Sequence, residues 1–187
     1  MKNNIWKESD DRLYAAAVKA IAKFAKTNPS VQLRCFLFDC DAVRSGNIEI
    51  SFDSAESNAR AVKQLEAMAI EFRASNLVGD RSWTGARHQL TSPSVSPINI
   101  GSGDFDFPGF SNVAFPAWRR LAESGDYPTS LHYEDDYLDS NARLVMWRTA
   151  ERLIAENAFG SLNLASPFAV GYSLHDEEAA ILRLLNW

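Results

Sequence analysis

Two short apolar runs, joined by residues typical of a turn, constrain the fold more than any other part of this sequence. Residues 31–38 read VQLRCFLF and residues 47–52 read NIEISF, and in both runs apolar side chains recur at every second position. Between the runs, Gly46 and Asn47 tolerate the positive φ that a tight reversal needs. The sequence therefore predicts an antiparallel hairpin with a long loop.

Helical periodicity predominates on both sides of this hairpin. The spacing predicts helices over 10–26, 53–75, 115–124, 136–157 and from Asp176 through Leu185, with a further strand over 167–174. Asp53 followed by Glu56 resembles a capping box. Residues 76–111 are rich in proline, glycine and serine and predict a loop-rich insertion with one short strand near 98–100.

The predicted buried faces follow from the same spacing. One apolar stripe on the first helix comprises Leu13, Ala17, Ala20, Ile21 and Phe24. On the helix over 136–157 the residues predicted to face inward are Leu144, Trp147, Ala150, Leu153 and Ile154. Strands and helices do not alternate regularly, so the prediction is a single α+β domain, 1–187. It has a mainly antiparallel sheet of three to five strands packed with helices.

Charge is distributed unevenly along the chain, whose formal net charge is −5. Residues 1–100 hold 13 Lys and Arg against 11 Asp and Glu, whereas residues 101–187 hold 6 against 13, a net of −7. This acidic half argues against a nucleic-acid partner, which requires clustered Lys and Arg. It favours a basic protein partner. The alternative is that the charge serves solubility alone.

Other sequence features exclude several classes of site. No apolar stretch is long enough for a signal peptide or a membrane helix, so the expectation is a cytoplasmic protein with no membrane partner. Cys35 and Cys40 are expected on opposite faces of a strand, reduced and too few for a zinc site. The histidines are scattered without metal-binding spacing, and residues 101–109 lack the Lys-Ser/Thr of a phosphate loop. We therefore expect no metal and no cofactor.

Asp39 and Asp41 follow an apolar run, in the segment FLFDCDAV. This segment resembles the first motif of haloacid-dehalogenase-type phosphatases, in which one Asp is the nucleophile and the second an acid/base, beside Mg²⁺. That resemblance implies a serine or threonine, a lysine and a further acidic pair elsewhere. Asp80 and Lys63 are the candidates, but Thr84 stands where a second acid is required. The alternative is that the two acids open a hairpin loop.

A second resemblance spans more of the chain. A first helix rich in small residues leads to VQLRCFLFDCDAV and a hairpin. Near the end, MWRTAERLIAENAFGSLNLASPFAVGYSLHDEEAAILRLLNW gives a long helix, a Phe-Gly exit and a strand. This layout resembles the bacterial domain-of-unknown-function family numbered 4303. That family supplies no established catalytic residues. Small acidic cytosolic α+β proteins of this kind are often immunity proteins, which bind and neutralise a toxin.

Two functional hypotheses of different classes follow. The first is a non-enzymatic binding protein, immunity- or antitoxin-like, with a basic partner such as a toxin. Residues 133–139, YEDDYLD, are compatible with a docking patch, a metal site or the acidic start of a helix. The predicted partner-binding residues combine aromatic anchors with acids; they are Asp104, Phe105, Asp106, Phe107, Tyr133, Glu134, Asp135, Asp136 and Tyr137. The alternative is that the phenylalanines simply hold a long loop to the core. The second is a Mg²⁺-dependent phosphohydrolase that uses Asp39 and Asp41.

Overall fold

A computed structural model describes residues 2–41, 45–74, 104–125, 134–174 and 179–186. Within these ranges the chain forms four α-helices, one 3₁₀ helix and five strands. The helices are α1 (Lys2–Thr27), α2 (Ala55–Ala74), α3 (Pro116–Ser124) and α4 (Glu134–Ala155), and the 3₁₀ helix is Ala158–Ser161. The strands are β1 (Leu33–Asp41), β2 (Asn47–Ser54), β3 (Phe107–Ala114), β4 (Leu164–Leu174) and β5 (Ala180–Leu185).

The five strands form one mixed sheet in the order β3-β2-β1-β4-β5. Every neighbouring pair is antiparallel except β1 and β4, which run in the same direction. The predicted α+β class and the predicted β1–β2 hairpin are therefore confirmed, with one parallel pair as a departure. Gly46 in the hairpin adopts a φ of +62°, and its carbonyl oxygen accepts a hydrogen bond from the Phe115 N–H at 2.7 Å.

One face of the sheet carries the main core. Phe36, Phe38 and Cys40 of β1 point to this face, which we call the core face, and α1, α3, α4 and the 3₁₀ helix contribute side chains to the same buried cluster. The predicted α1 stripe is confirmed, because all five of its residues are buried. Aromatic edge-to-face contacts tie the layers together. Phe24, for example, has its ring centroid 4.8 Å from that of Phe107.

The other face of the sheet has a smaller buried cluster. Cys35 and Leu37 of β1, which alternate with the core-face residues, pack there with Phe105 and Ala169. We call this the second face. The prediction that the two cysteines point to opposite faces is confirmed, and both thiols are free and buried.

Three local predictions are wrong. Residues 180–185 form strand β5 rather than a helix, because they pair with β4 along its length and tertiary pairing overrides local helix preference. The cap of α2 is Ser54, whose Oγ accepts a hydrogen bond from the Ser57 N–H at 2.9 Å, and Asp53 lies inside β2. Residues 107–114, assigned largely to a loop, form β3; the strand expected near 98–100 lies outside the described residues.

The prediction for the inward face of α4 is right in part: Ala150 and Leu153 are fully buried and Ile154 is partly buried. Leu144 and Trp147 are each 44% exposed. The buried residues of this helix are Leu138, Ala142, Val145, Met146, Thr149, Ala150 and Leu153. Both sets satisfy helical spacing and share Ala150 and Leu153. The α1 helix lies alongside α4, where Asp10 pairs with Arg148 at 3.4 Å and Asp11 with Arg152 at 3.3 Å.

Candidate functional site

Two acidic side chains face each other across the hairpin. Asp39 of β1 and Glu49 of β2 are register partners, and both belong to the alternation that points to the second face. Glu49 is exposed, and Asp39 is partly buried. Like charges directly opposite each other on a sheet destabilise the fold. The two carboxylates therefore repel each other.

The backbone around Glu49 is shaped to accommodate its carboxylate. Gly109 of β3 has a φ of +54°, which a glycine adopts without strain. A Cβ atom at Gly109 would approach Glu49 Oε2 to 3.0 Å. The Gly109 N–H also donates to Ser51 Oγ at 2.9 Å, which fixes β3 beside β2 at this point. A side chain at position 109 would force the Glu49 carboxylate to move.

Asp41 ends β1 at the start of the hairpin loop. Its carbonyl oxygen accepts hydrogen bonds from the Gly46 N–H at 2.9 Å, the Ser45 N–H at 3.3 Å and the Ser45 hydroxyl at 3.1 Å. Strand alternation places its side chain on the same face as that of Asp39. Asp39 thus lies within the strand, and Asp41, its last residue, borders the loop, so the alternative in which both open the loop holds for Asp41 alone.

Asp39 has a hydroxyl neighbour on its other side. Ser173 of the parallel strand β4 is its register partner, one residue before that strand ends at Leu174. An aspartate and a serine at the carboxyl ends of adjacent parallel strands match two parts of the phosphatase arrangement. Lys63 is exposed on α2, and Asp80 and Thr84 lie outside the described residues. Among the described residues, no three His, Cys, Asp or Glu side chains are grouped to hold a metal ion.

A second acidic group lies at the far end of β2. Asp53 is fully buried on the second face, opposite Cys35, and its Oδ1 accepts a hydrogen bond from the Asp106 N–H at 3.3 Å. The Asp106 carboxylate accepts hydrogen bonds from the Ser54 hydroxyl and from Arg60 Nη2, the latter at 2.7 Å. These contacts fasten residues 104–106 to the junction of β2 and α2.

Burial raises the pKa of Asp53 and of both cysteine thiols. Removal from water raises the pKa of Asp53, and hydrogen bonds from Ser57 and from the main-chain N–H groups of Asp106 and Ser54 oppose that shift only in part. Burial also raises the pKa of the Cys35 thiol, and the neighbouring Asp53 adds to it. Cys40 is affected in the same way, first by burial and then by Asp139. Neither thiol is suited to nucleophilic attack at neutral pH.

The predicted partner-binding residues separate into distinct environments. Asp104 and Asp106 are exposed, which suits the predicted role. Phe105 is buried against Cys35 and Leu37, so it is not a surface anchor, and this part of the prediction needs correction. Phe107 is partly buried against Phe24. In residues 104–107, therefore, the two phenylalanines hold the chain to the core while the two aspartates face solvent.

The remaining predicted residues lie at the start of α4. Tyr137 is partly buried, and its ring meets the edge of Trp6 with centroids 6.1 Å apart. Glu134 is the first residue of α4, as the helix-start interpretation of this segment expects. Tyr133 and the side chains of Glu134, Asp135 and Asp136 lie outside the described residues.

Sequence reasoning did not single out Glu49 as a functional residue and took Asp53 for a helix cap. A signal for both was present in the alternation of NIEISFDS, where Glu49, Ser51 and Asp53 share one face. Only the register with β1 shows which face that is, and that Glu49 meets Asp39. We call the set Asp39, Asp41, Glu49, Asp104 and Asp106 the acidic face.

Comparisons with protein-family models, with curated proteins and with solved structures found no match to this chain. The resemblance to the family numbered 4303 therefore stays a prediction. Within the part of the chain that the structure describes, no helix combines the length and apolar character needed to cross a membrane.

Proposed function

We propose that this chain is a non-enzymatic binding protein whose acidic face receives a basic protein partner. The most concrete form of this proposal is an immunity-type protein that binds and neutralises a bacterial toxin. The observation that carries it is the juxtaposition of Asp39 and Glu49 on one face of the sheet. Two carboxylates held side by side create a local negative potential, which would attract a cationic side chain of a partner.

The rest of the acidic face extends this arrangement. Asp104 and Asp106 lie at the opposite end of β2, where the fully buried Asp53 is four residues from Glu49, a distance of about 13 Å along a strand. Arg60 offsets part of the charge of Asp106, and Asp104 is exposed. A partner carrying two basic groups at this separation would engage both ends. Because the aromatic residues of the loop are held in the core, charge rather than aromatic burial would supply most of the specificity.

This mode of binding predicts a strong salt dependence. Exposed charges are screened over about 8 Å at physiological ionic strength, and steering by charge acts mainly on the association rate. We expect the association rate to fall as salt rises while the dissociation rate changes little. A partner bound through an apolar surface would show an association rate that depends little on salt.

The test begins with recovery of a partner from cells in which the gene is native. The tagged wild-type protein is compared with the double variant Glu49→Gln/Asp104→Asn, which removes two exposed charges from the acidic face. The matched control, Glu8→Gln/Glu123→Gln, removes the same charge from exposed positions on α1 and α3. The proposal expects a basic protein that binds wild type and control alike, and binds the acidic-face variant at least tenfold more weakly.

Two results would contradict this proposal. One is the recovery of no basic protein by the wild-type bait. The other is a purified basic partner whose affinity falls equally for the acidic-face variant and the control, because that result would reflect net charge alone. The toxin form of the proposal additionally expects the partner to inhibit growth when produced by itself.

A Mg²⁺-dependent phosphohydrolase is the second candidate, and the Asp39–Ser173 register is the observation in its favour. Asp39 would attack phosphorus and displace the alcohol of the ester, and water would then hydrolyse the aspartyl phosphate to release phosphate. Ser173, which is buried beside Asp39, would hold a phosphate oxygen. This candidate expects turnover of phosphate esters with Mg²⁺ that disappears in Asp39→Asn and survives in Glu49→Gln. An inert wild-type protein across a broad ester panel would exclude it.

A further inference from the structure

Residues 104–106, which we call the covering segment, lie over a buried carboxyl group at the end of β2. That group is Asp53, whose exposure is 0%. Its Oδ1 atom accepts a hydrogen bond from the Asp106 N–H at 3.3 Å, whereas its Oδ2 atom is buried with no hydrogen-bond partner in the described part of the chain. A buried polar atom without a partner is uncommon in a folded protein and calls for a physical explanation.

The covering segment has little buried surface of its own. Phe105 is its one buried side chain, and it packs beside Cys35, the register partner of Asp53. The Ser57 hydroxyl donates to the Asp104 carbonyl oxygen at 3.4 Å, which is a long hydrogen bond. A segment with so few buried contacts can open locally while the rest of the fold stays intact.

No basic side chain among the described residues pairs with Asp53. The Asp106 carboxylate repels a charge on Asp53, and Arg60 pairs with Asp106 and with Glu56 instead. The titratable and charged groups of the surrounding elements are Cys35 and Arg34 of β1, Glu56 and Arg60 of α2, and Asp104 and Asp106 of the covering segment. An ionised Asp53 therefore lies in the interior without a compensating charge.

We propose that the protonation of Asp53 controls the covering segment, which stays on the sheet while the carboxyl group is neutral and opens more often once it is ionised. A buried carboxylate without a cation is costly, and opening of the segment returns it to water. The bond from the Asp106 N–H favours the ionised form and opposes this effect, but it satisfies only one of the two carboxylate oxygens.

The sign of the effect agrees with the pKa of Asp53. Burial is the largest influence on this pKa and raises it in the closed protein, so the closed state binds the proton more tightly than the open state does. Closing is therefore most favourable below the pKa of the open state. This advantage is lost as the pH rises through the raised pKa of the closed state.

Opening of the covering segment changes the position of two charges. Asp104 and Asp106 both lie on the segment, and the Asp106 carboxylate is held at the end of β2 by the Ser54 hydroxyl. When the segment opens, both carboxylates move away from β2. The effect concerns the free chain and holds whether or not a basic partner binds to the acidic face.

Hydrogen exchange of single amides tests this proposal on the wild type, with each rate measured by NMR and divided by the intrinsic rate at the same pH. We expect the protection of the Asp106 amide to fall at least threefold from mildly acidic to mildly alkaline pH, because that amide is bonded to Asp53. The Gly46 amide, bonded to the Asp41 carbonyl oxygen at 2.9 Å, is the internal reference and should keep its protection.

Two variants identify the group that titrates. Asp53→Asn keeps the Oδ1 acceptor but cannot ionise, so the protection of the Asp106 amide should no longer depend on pH. The matched control, Glu56→Gln, removes an exposed carboxylate from the first turn of α2 and should behave as the wild type does. Constant or rising protection in the wild type overturns the proposal, and so does a pH dependence that Asp53→Asn retains.

The carboxyl carbon shift of Asp53 gives the same assignment without a variant. Its titration midpoint in the wild type should coincide with the midpoint at which the Asp106 amide loses protection. This measurement decides the matter even if Asp53→Asn does not fold. Midpoints that clearly differ would show that another group controls the covering segment.

Discussion

Asp39 and Glu49 stand opposite each other across the β1–β2 hairpin, so that their two carboxylates lie side by side on the second face of the sheet. The effect of this like-charge contact on stability can be measured directly, independently of what the face binds.

Glu49→Gln should stabilise the protein. Removal of a like-charge pair on adjacent strands is expected to raise the free energy of unfolding by about 0.2–1 kcal/mol, with a larger gain at low salt. Urea unfolding at two salt concentrations measures this. As a control, Glu123→Gln breaks the Arg119–Glu123 pair on α3 and should cost stability slightly. Equal effects of the two substitutions would argue against repulsion at Glu49.

The Ser9–Trp118 hydrogen bond ties α1 to α3 inside the core. Trp118 Nε1 donates to Ser9 Oγ at 2.9 Å, and the Ser9 hydroxyl donates onward to the Ile5 carbonyl at 2.8 Å. Ser9→Ala leaves the buried indole N–H without an acceptor, which should cost about 1–3 kcal/mol. Trp118→Phe removes that donor, and it also reduces the volume of a fully buried side chain.

A double-mutant cycle separates these two effects. Once Trp118→Phe is present, Ser9→Ala should cost much less, giving a coupling of about 0.5–3 kcal/mol. Thermal or urea unfolding of the four proteins provides the measurement. Additive losses would mean that the hydrogen bond contributes nothing beyond packing.

Asp53 should make stability depend on pH in the direction opposite to most carboxyl groups. Its pKa is raised in the folded protein, chiefly by burial, so the folded state binds the proton more tightly than the unfolded state does. The contribution of Asp53 to stability is therefore greatest below its unfolded pKa and declines as pH rises through its raised folded pKa. Asp53→Asn removes this dependence.

The comparison is between wild type and Asp53→Asn at several pH values from acidic to neutral. Relative to the variant, the wild type should lose stability as pH rises, because the carboxylate must then be held in the interior with its Oδ2 lacking a hydrogen-bond partner. A stability difference that stays constant across this range would show that the Asp53 pKa is not raised.

Both cysteines should resist modification while the protein is folded. Each thiol is buried with its pKa raised above the usual range, so little thiolate is present and access is blocked. A disulfide reagent should label no thiol in the native protein and two in denaturant. Val18→Cys, at an exposed position on α1, provides a positive control that should react at once. Rapid labelling of the native wild type would contradict the burial of one or both thiols.

The local patterns of the sequence were sufficient to predict the hairpin, the α1 stripe, the opposite orientations of Cys35 and Cys40, and the α+β class. Each depends on periodicity within a few residues, where hydrophobic spacing and turn chemistry act directly. The α3 helix was predictable from local residues in the same way, because Pro116 is its first residue and Gly125 follows its end with a φ of +61°. Asp39 and Asp41 were also recognised from their position after an apolar run.

Tertiary structure alone decided the rest. Residues 180–185 have apolar spacing that also suits a helix, and β4 makes them a strand by supplying partners for their main chain. Leu144 and Trp147 fit the helical spacing of a buried stripe, but in the folded protein they are exposed, and Val145, Met146 and Thr149 face the core instead. Phe105 was expected on the surface and is held in the core. The pairing of Asp39 with Glu49 and with Ser173 depends on strand register, which is fixed by contacts between segments far apart in the chain and is therefore invisible to any local pattern.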